Sequence, residues 1–197
     1  MGRRRWAMVL WLGCACLAIA HRAAADTTAA ERAYQRGDFA AAAAELLPLA
    51  HDGDPKAQFL VGRMAFYGQV LSQDAGLAAG WFRRAAEQGF APAQLAYANA
   101  LDNGWGVQGD PAQAVPWYLL AAFQGERAAM WHLAYDYRRG RGVVRDLVEA
   151  WAWFDQLAAL GDADASRERD WIGLVALDEA AQARQRSRAL ARALDLP

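Results

Sequence analysis

The stretch GWGVQGDP, Gly104 to Pro111, carries the most suggestive chemistry in the chain. Gly104, Gly106 and Gly109 follow the spacing G-x-G-x-x-G, in which closely approaching backbone amides cradle a pyrophosphate at a helix start. Asp110, directly after them, would be placed to act as a ribose ligand or a catalytic acid. Beyond residue 25 the imidazoles are His51 and His132. His51, in AHDGD, suits the cationic end of a helix, and His132 lies beside Trp131 in a helical pattern. Neither has an H-E-x-x-H motif, a second histidine at ligand spacing or a cysteine nearby, so no metal site is expected. The serines form no G-x-S-x-G or S-x-x-K arrangement. Asp162, Asp164, Glu168 and Asp170 alternate with Arg167 and Arg169, as on a solvated helix face, and nothing selects a catalytic pair among them. RRGRGVVR, Arg138 to Arg145, is the one local positive cluster; a solvated turn explains it, and an acidic partner or anionic lipid is the sharper alternative.

The elements that must position these residues decide between the readings. A dinucleotide turn follows a buried strand, whereas AYANALDN before Gly104 has a helical pattern. The chain repeats every 36 residues without a gap, over Pro55–Phe90, Ala91–Glu126 and Arg127–Asp162. Ala57, Ala93 and Ala129 align, as do Gly68, Gly104 and Gly140; Asp74, Asp110 and Asp146; Trp81, Trp117 and Trp153; and Gly89, Gly125 and Gly161. The first glycine set ends a helix in left-handed conformation. The aspartates cap the next helix, with Pro111 at its first turn in the second repeat and Glu149 closing a capping box in the third. The last glycine set stops that helix. Gly62, Ala98 and Ala134 permit close approach, and the pairs Trp81–Phe82, Trp117–Tyr118 and Trp153–Phe154 supply core bulk. Gly109 faces Arg145 in the third repeat, so the third glycine of the fingerprint is incidental. No cofactor is expected.

Residues 1–25 differ in kind. Arg3, Arg4 and Arg5 precede the apolar run Trp6–Ala20, and Ala23-Ala24-Ala25 offers a small-residue cleavage site. This is the pattern of a secretory signal peptide cut after Ala25, with a cut after Ala20 as the alternative. At 15 residues the run is short for a membrane span. Trp11 stands where a lipobox before Cys14 has leucine, which disfavours a lipoprotein. The leader would remove both cysteines, Cys14 and Cys16, so no disulfide is available to an exported chain. It also removes Arg3, Arg4, Arg5 and Arg22, leaving 17 basic residues against 22 acidic. That balance argues against a general nucleic-acid partner. Ala30–Asp54 reads as a shortened helix pair with its turn at Gly37 and cap at Asp38; residues 163–197 read as capping helices.

The register A-x-x-x-[LVY]-[GA]-x-x-x-x-x-G-x-G-V-x-x-D-x-x-x-A-x-x-W-[FY]-x-x-A-A-x-x-G resembles the Sel-one-like repeat, a relative of the tetratricopeptide repeat. Together with the leader it looks like the exported bacterial members. Val70 departs from the pattern where a glycine is usual, and Leu157 where an alanine is. The resemblance implies an all-α, right-handed α/α solenoid used for protein–protein interaction, as adaptor, assembly factor or regulator. Some cysteine-rich relatives were proposed to bind or hydrolyse cell-wall-type ligands; their paired cysteines have no counterpart here.

By the same likeness, the first helix of each repeat would line the concave face. Core duties fall on Ala57/Val61, Ala93/Tyr97 and Ala129/Leu133. A second stripe at i, i+4, i+7 is left over: Phe59, Arg63, Phe66; Leu95, Asn99, Asp102; and Trp131, Tyr135, Arg138. Its aromatics, arginines and amides suit recognition of a protein or peptide; packing of Phe59 and Trp131 against neighbouring helices is the competing explanation. The expected protein is thus a non-catalytic, monomeric, periplasmic or secreted scaffold without a membrane-inserted segment after cleavage. The alternative is a binder of cell-wall glycan or muropeptide, with Trp131 and Tyr135 stacking on sugars.

Overall fold

The structure, a computed structural model, describes residues 27–70, 72–175 and 180–195. The leader expected over 1–25 and its cleavage site lie outside the described residues. Among those described, all regular elements are helices. They are α1 (27–35), α2 (Phe39–His51), α3 (Pro55–Tyr67), α4 (Ala75–Glu87), α5 (Ala91–Asn103), α6 (Pro111–Ala122), α7 (Arg127–Arg139), α8 (Leu147–Ala159), α9 (Ala163–Val175) and α10 (Ala180–Ala193). They form two compact units, one ending at Asp74 and one beginning at Ala75, so the division falls between the two helices of the first repeat.

In the N-terminal unit, Asp38 caps α2 by accepting the Ala41 N–H at 3.1 Å, and Asp54 caps α3 by accepting that of Ala57 at 2.7 Å. Pro55 opens α3, where its missing N–H costs nothing. Leu46, Ala57, Val61, Met64 and Ala65 are buried between the helices. Gln58, also buried, donates from Nε2 to the Ala50 carbonyl at 3.1 Å, near the end of α2, where that oxygen also accepts the Gly53 N–H. Gly68 ends α3 in left-handed conformation as expected. Val70 holds φ 83° without being glycine. It is 55% exposed, so its side chain has room, and the cost is local strain of about 1–2 kcal/mol.

In the second unit successive helices from α4 to α9 pack in order, and α10 lies on α8. This is a run of antiparallel helix pairs, the solenoid arrangement expected from the repeat. Tyr118, Trp153, Phe154, Met130, Leu133 and Leu157 are fully buried beside Ala98, Ala129 and Ala134, the small residues that let the helices approach. Each such large side chain contributes about 1.5–3 kcal/mol on leaving water. Asp110 accepts from the N–H groups of Ala112 and Gln113, and Asp146 from those of Val148 and Glu149. Glu149 does not close the expected capping box. Its carboxylate pairs with Arg186 of α10 at 2.6 Å, while the Asp146 N–H donates to the Tyr137 carbonyl. Tyr97 is only half-buried, and its ring meets Trp117 edge-on at 5.4 Å.

The glycines of the opening motif have separate jobs. Gly104 is the left-handed C-cap of α5, as Gly140 is of α7. Gly106 and Gly142 lie against the start of the preceding repeat's second helix. A Cβ on Gly106 would stand 2.1 Å from the Ala75 carbonyl, and one on Gly142 2.5 Å from that of Pro111. The turn's second glycine is where two repeats touch.

Candidate functional site

The 36-residue register sets the stripe on α3, α5 and α7. In the N-terminal unit Phe59, Arg63 and Phe66 are half-buried on α3. The Arg63 guanidinium lies 5.3 Å from the Tyr34 ring centre and 5.8 Å from that of Phe59. In the second unit Leu95 and Asn99 are half-buried, and Asn99 Oδ1 accepts the Tyr118 hydroxyl at 2.8 Å. Asp102 departs from the expected open row: it is 6% exposed and pairs with Arg141 at 3.2 Å. The physical reason is the α7–α8 turn, which folds Arg141 over the end of α5 and also donates to the Asp102 carbonyl at 2.9 Å.

The third row sits in a seam between α7 and α9. Trp131 stacks on Tyr135 at 5.5 Å, meets Phe154 edge-on at 5.3 Å, and donates from Nε1 to Asp162 Oδ2 at 3.0 Å. Asp162 also caps α9 by accepting from the N–H groups of Asp164 and Ala165. The Ala165 amide, followed by the Trp131 indole, holds its carboxyl below the usual carboxylate range. Tyr135 donates its hydroxyl to Glu168 at 3.2 Å, and Arg138 pairs with the same carboxylate. The Arg138 guanidinium lies 5.0 Å from the Tyr135 ring centre and 5.5 Å from that of Trp171. Trp131 therefore packs and is presented at once: one part fastens α7 to its neighbours, and the rest lines an open cleft. That cleft encloses about 490 Å³ and is bounded by Trp131, Tyr135, Asp164, Arg167, Glu168 and Trp171.

Four of those six residues were not in the expected stripe. For two of them, Arg167 and Trp171, the signal was present: adding one period to Trp131, Tyr135 and Arg138 gives Arg167, Trp171 and Leu174, a fourth row on α9. Arg167 is exposed, Trp171 is half exposed and Leu174 more so. Glu168, taken from sequence as part of a solvated face, is instead the acceptor that ties α9 to α7. The basic run is likewise largely engaged within the molecule, through Arg138 to Glu168, Arg141 to Asp102 and Arg145 to the Arg138 carbonyl.

Behind the second row lies a buried polar cluster. Asp136 is 5% exposed. Its carboxyl is pushed up to about 7, first by loss of water and then by the neighbouring Asp102 charge. Tyr118 stacks on His132 with ring centres 4.5 Å apart. Burial raises the Tyr118 phenol and lowers the His132 imidazole, so both are neutral at pH 7. Among the described residues no three His, Cys, Asp or Glu side chains converge as metal ligands. Nor is any described helix long and apolar enough to cross a membrane.

A family model, the Sel1 repeat, matches residues 55–90, 91–126 and 127–162, the same three segments that the internal repeat defines. Among solved structures, the chain is similar to a Sel1 repeat protein from Oxalobacter formigenes, with a TM-score of 0.68 and 28% identity over 73% of this chain and 57% of that one. It is also similar to c5321, a protective antigen of uropathogenic Escherichia coli strains displaying an SLR fold, with a TM-score of 0.57 and 41% identity. That match covers 61% of this chain and 26% of the other. The chain thus spans just over half of the first structure and about a quarter of the second. No curated protein matches it.

Proposed function

Because the chain belongs to the Sel1-repeat family, whose members are typically non-catalytic scaffolds for protein–protein interaction, we propose that it binds a protein or peptide segment through residues of its first helices. The observation that carries this reading is the α7–α9 cleft, where the third and fourth rows meet. Trp131, Tyr135 and Trp171 offer aromatic faces, and Arg167, Asp164 and Glu168 form a charged border. Aromatic anchors inside a polar rim are the composition of an interface centre. The basic n-region and apolar run before Ala25 support a periplasmic or secreted setting, and hence a partner in the cell envelope.

The test is crosslinked capture of the partner from the native envelope, followed by affinity measurement with purified components. Trp171→Ala, at an exposed site, should weaken binding tenfold or more while leaving the far-UV spectrum unchanged. Unchanged affinity for Trp171→Ala and Arg167→Ala would remove the cleft from the interface.

A second reading, binding of cell-wall glycan, draws on the same cleft, since sugars stack on indole faces and bond to carboxylates. Sedimentation with purified peptidoglycan separates the two. A protein-directed scaffold stays in the supernatant, and a glycan binder pellets unless Trp171 is replaced.

A further inference from the structure

The 36-residue period gives each second helix an outer row at the same three positions. On α4 it is Gly80, Arg84 and Glu87; on α6, Pro116, Leu120 and Phe123; on α8, Ala152, Gln156 and Ala159. The three rows meet different fates. The row on α4 is exposed and, with a cation and an acid, suits water. The row on α8 is covered over most of its length. Ala152 and Gln156 are buried, and Gln156 donates from Nε2 to the Ser187 carbonyl at 3.0 Å and to its hydroxyl at 2.7 Å, both on α10. The row on α6 is apolar and yet exposed: Leu120 by 48%, Phe123 by 43%, and Pro116 beside them.

A helix face that meets only water is polar. From Pro111 to Gly125, however, the chain holds no Asp, Glu, Lys, Arg or His, and its one phenol, Tyr118, is buried. Three apolar side chains at i, i+4 and i+7 on an uncharged helix are the anchor pattern by which one helix receives another. The chain itself shows what such a row accepts. α10 lies on α8 and buries Ala183, Ser187 and Leu190, also spaced i, i+4 and i+7 and also uncharged. Arg184, Arg188 and Arg192 are exposed outside that face, and Arg186 pairs with Glu149 at its border. The α6 row runs on from this helix-on-helix contact, because Phe123 meets Trp153 of α8 edge-on at 5.9 Å.

We infer that the outer row of α6 receives a helix of a partner protein, which turns small and aliphatic side chains at i, i+4 and i+7 to Pro116, Leu120 and Phe123 as α10 turns its own to α8. The partner's contact face is uncharged, since the row offers no counter-charge to a buried one. This goes beyond the binding reading above: the row belongs to a second helix and shares no residue with the α7–α9 cleft. A second copy of the chain is the weaker match. It would set Leu120 and Phe123 against their own bulk, whereas helices pack closely where small side chains face large ones.

The experiment uses the full chain and two fluorescein-labelled peptides the length of α10, each locked as a helix by a lactam on the side away from the contact. One carries Ala, Ser and Leu at i, i+4 and i+7 with Gln elsewhere; the other has Asp in place of that Ala and Ser. Binding is read by fluorescence anisotropy up to about 1 mM protein. The uncharged peptide should bind at least tenfold more tightly than the Asp peptide. Leu120→Lys and Pro116→Lys, both at exposed sites, should each weaken it about tenfold with the far-UV spectrum retained, and Trp171→Ala should leave it unchanged. No binding by about 1 mM, equal binding of the two peptides, or binding that survives both lysine substitutions overturns the inference. Binding lost in Trp171→Ala and kept in Leu120→Lys places the peptide in the cleft, so this inference fails while the scaffold reading stands. Sedimentation velocity tests the other occupant: a dimer of the chain that Leu120→Lys dissolves assigns the row to a second copy and overturns the partner helix.

Discussion

Replacing Gly142 by alanine isolates the contact that joins one repeat to the next. Two costs are added at once. The backbone there has φ 69°, which an L side chain adopts at about 1–2 kcal/mol. The new Cβ would also stand 2.5 Å from the Pro111 oxygen, 2.6 Å from its carbonyl carbon and 2.9 Å from the Ala112 nitrogen. Those atoms are helix backbone and cannot rotate away, so α6 or the turn must shift, at about 1–3 kcal/mol by analogy with overpacked cores. The sum is about 2–5 kcal/mol, or roughly 4–20 °C in Tm for a chain of this size. Gly125→Ala is the control: φ is 90° there, but nothing lies within 4 Å of the added carbon. It should show the conformational cost alone, about 1–2 kcal/mol. Urea and thermal unfolding followed by far-UV circular dichroism measure both variants. If the two lose the same stability within about 0.5 kcal/mol, the Gly142 approach is not a structural constraint and the account of the G-x-G turn is wrong.

Two further outcomes follow from the same geometry. Val70 occupies the place of that second glycine in a left-handed conformation and is exposed, so Val70→Gly should stabilise the chain by about 1 kcal/mol in urea unfolding; a loss of stability would mean that the side chain makes a contact worth more than its strain. Asp136 titrates near 7 in the fold and near 3.8 as a free side chain, so the folded state holds the extra proton between those values. Stability should therefore be fullest below about pH 4 as far as this group is concerned, fall as pH rises through 7, and level off above. Asp136→Asn should flatten that slope between pH 5 and 8 and raise stability at pH 8 by about 1–3 kcal/mol, read as unfolding midpoints against pH; an unchanged slope would show that the carboxyl is not desolvated.

How much of this was legible in the sequence divides along one physical line. Positions that recur are those whose neighbours recur. Gly104 and Gly140 end helices, Asp110 and Asp146 cap them, and Ala98 and Ala134 sit at helix contacts; each has a partner within the same or the adjoining repeat, at a fixed offset. Local rules read those residues correctly. The site is built from positions whose place recurs but whose residue does not, and their fates depend on partners that no local rule identifies. Asp102 falls on the row by register but is closed off by Arg141, 39 residues away. Glu168 looked like a solvated acid and instead joins Tyr135 and Arg138, 33 and 30 residues before it. Glu149 had the spacing of a capping box, yet α10 supplies Arg186, a stronger electrostatic partner than the amide it was expected to meet. The fourth row, Arg167, Trp171 and Leu174, was hidden for a different reason. The consensus glycines and tryptophan fail after Asp162, so the repeat looks finished, while the helix geometry that sets the stripe continues for one more turn of the register. In a repeat protein the end of the motif and the end of the surface need not coincide, and here the surface outlasts the motif by one helix.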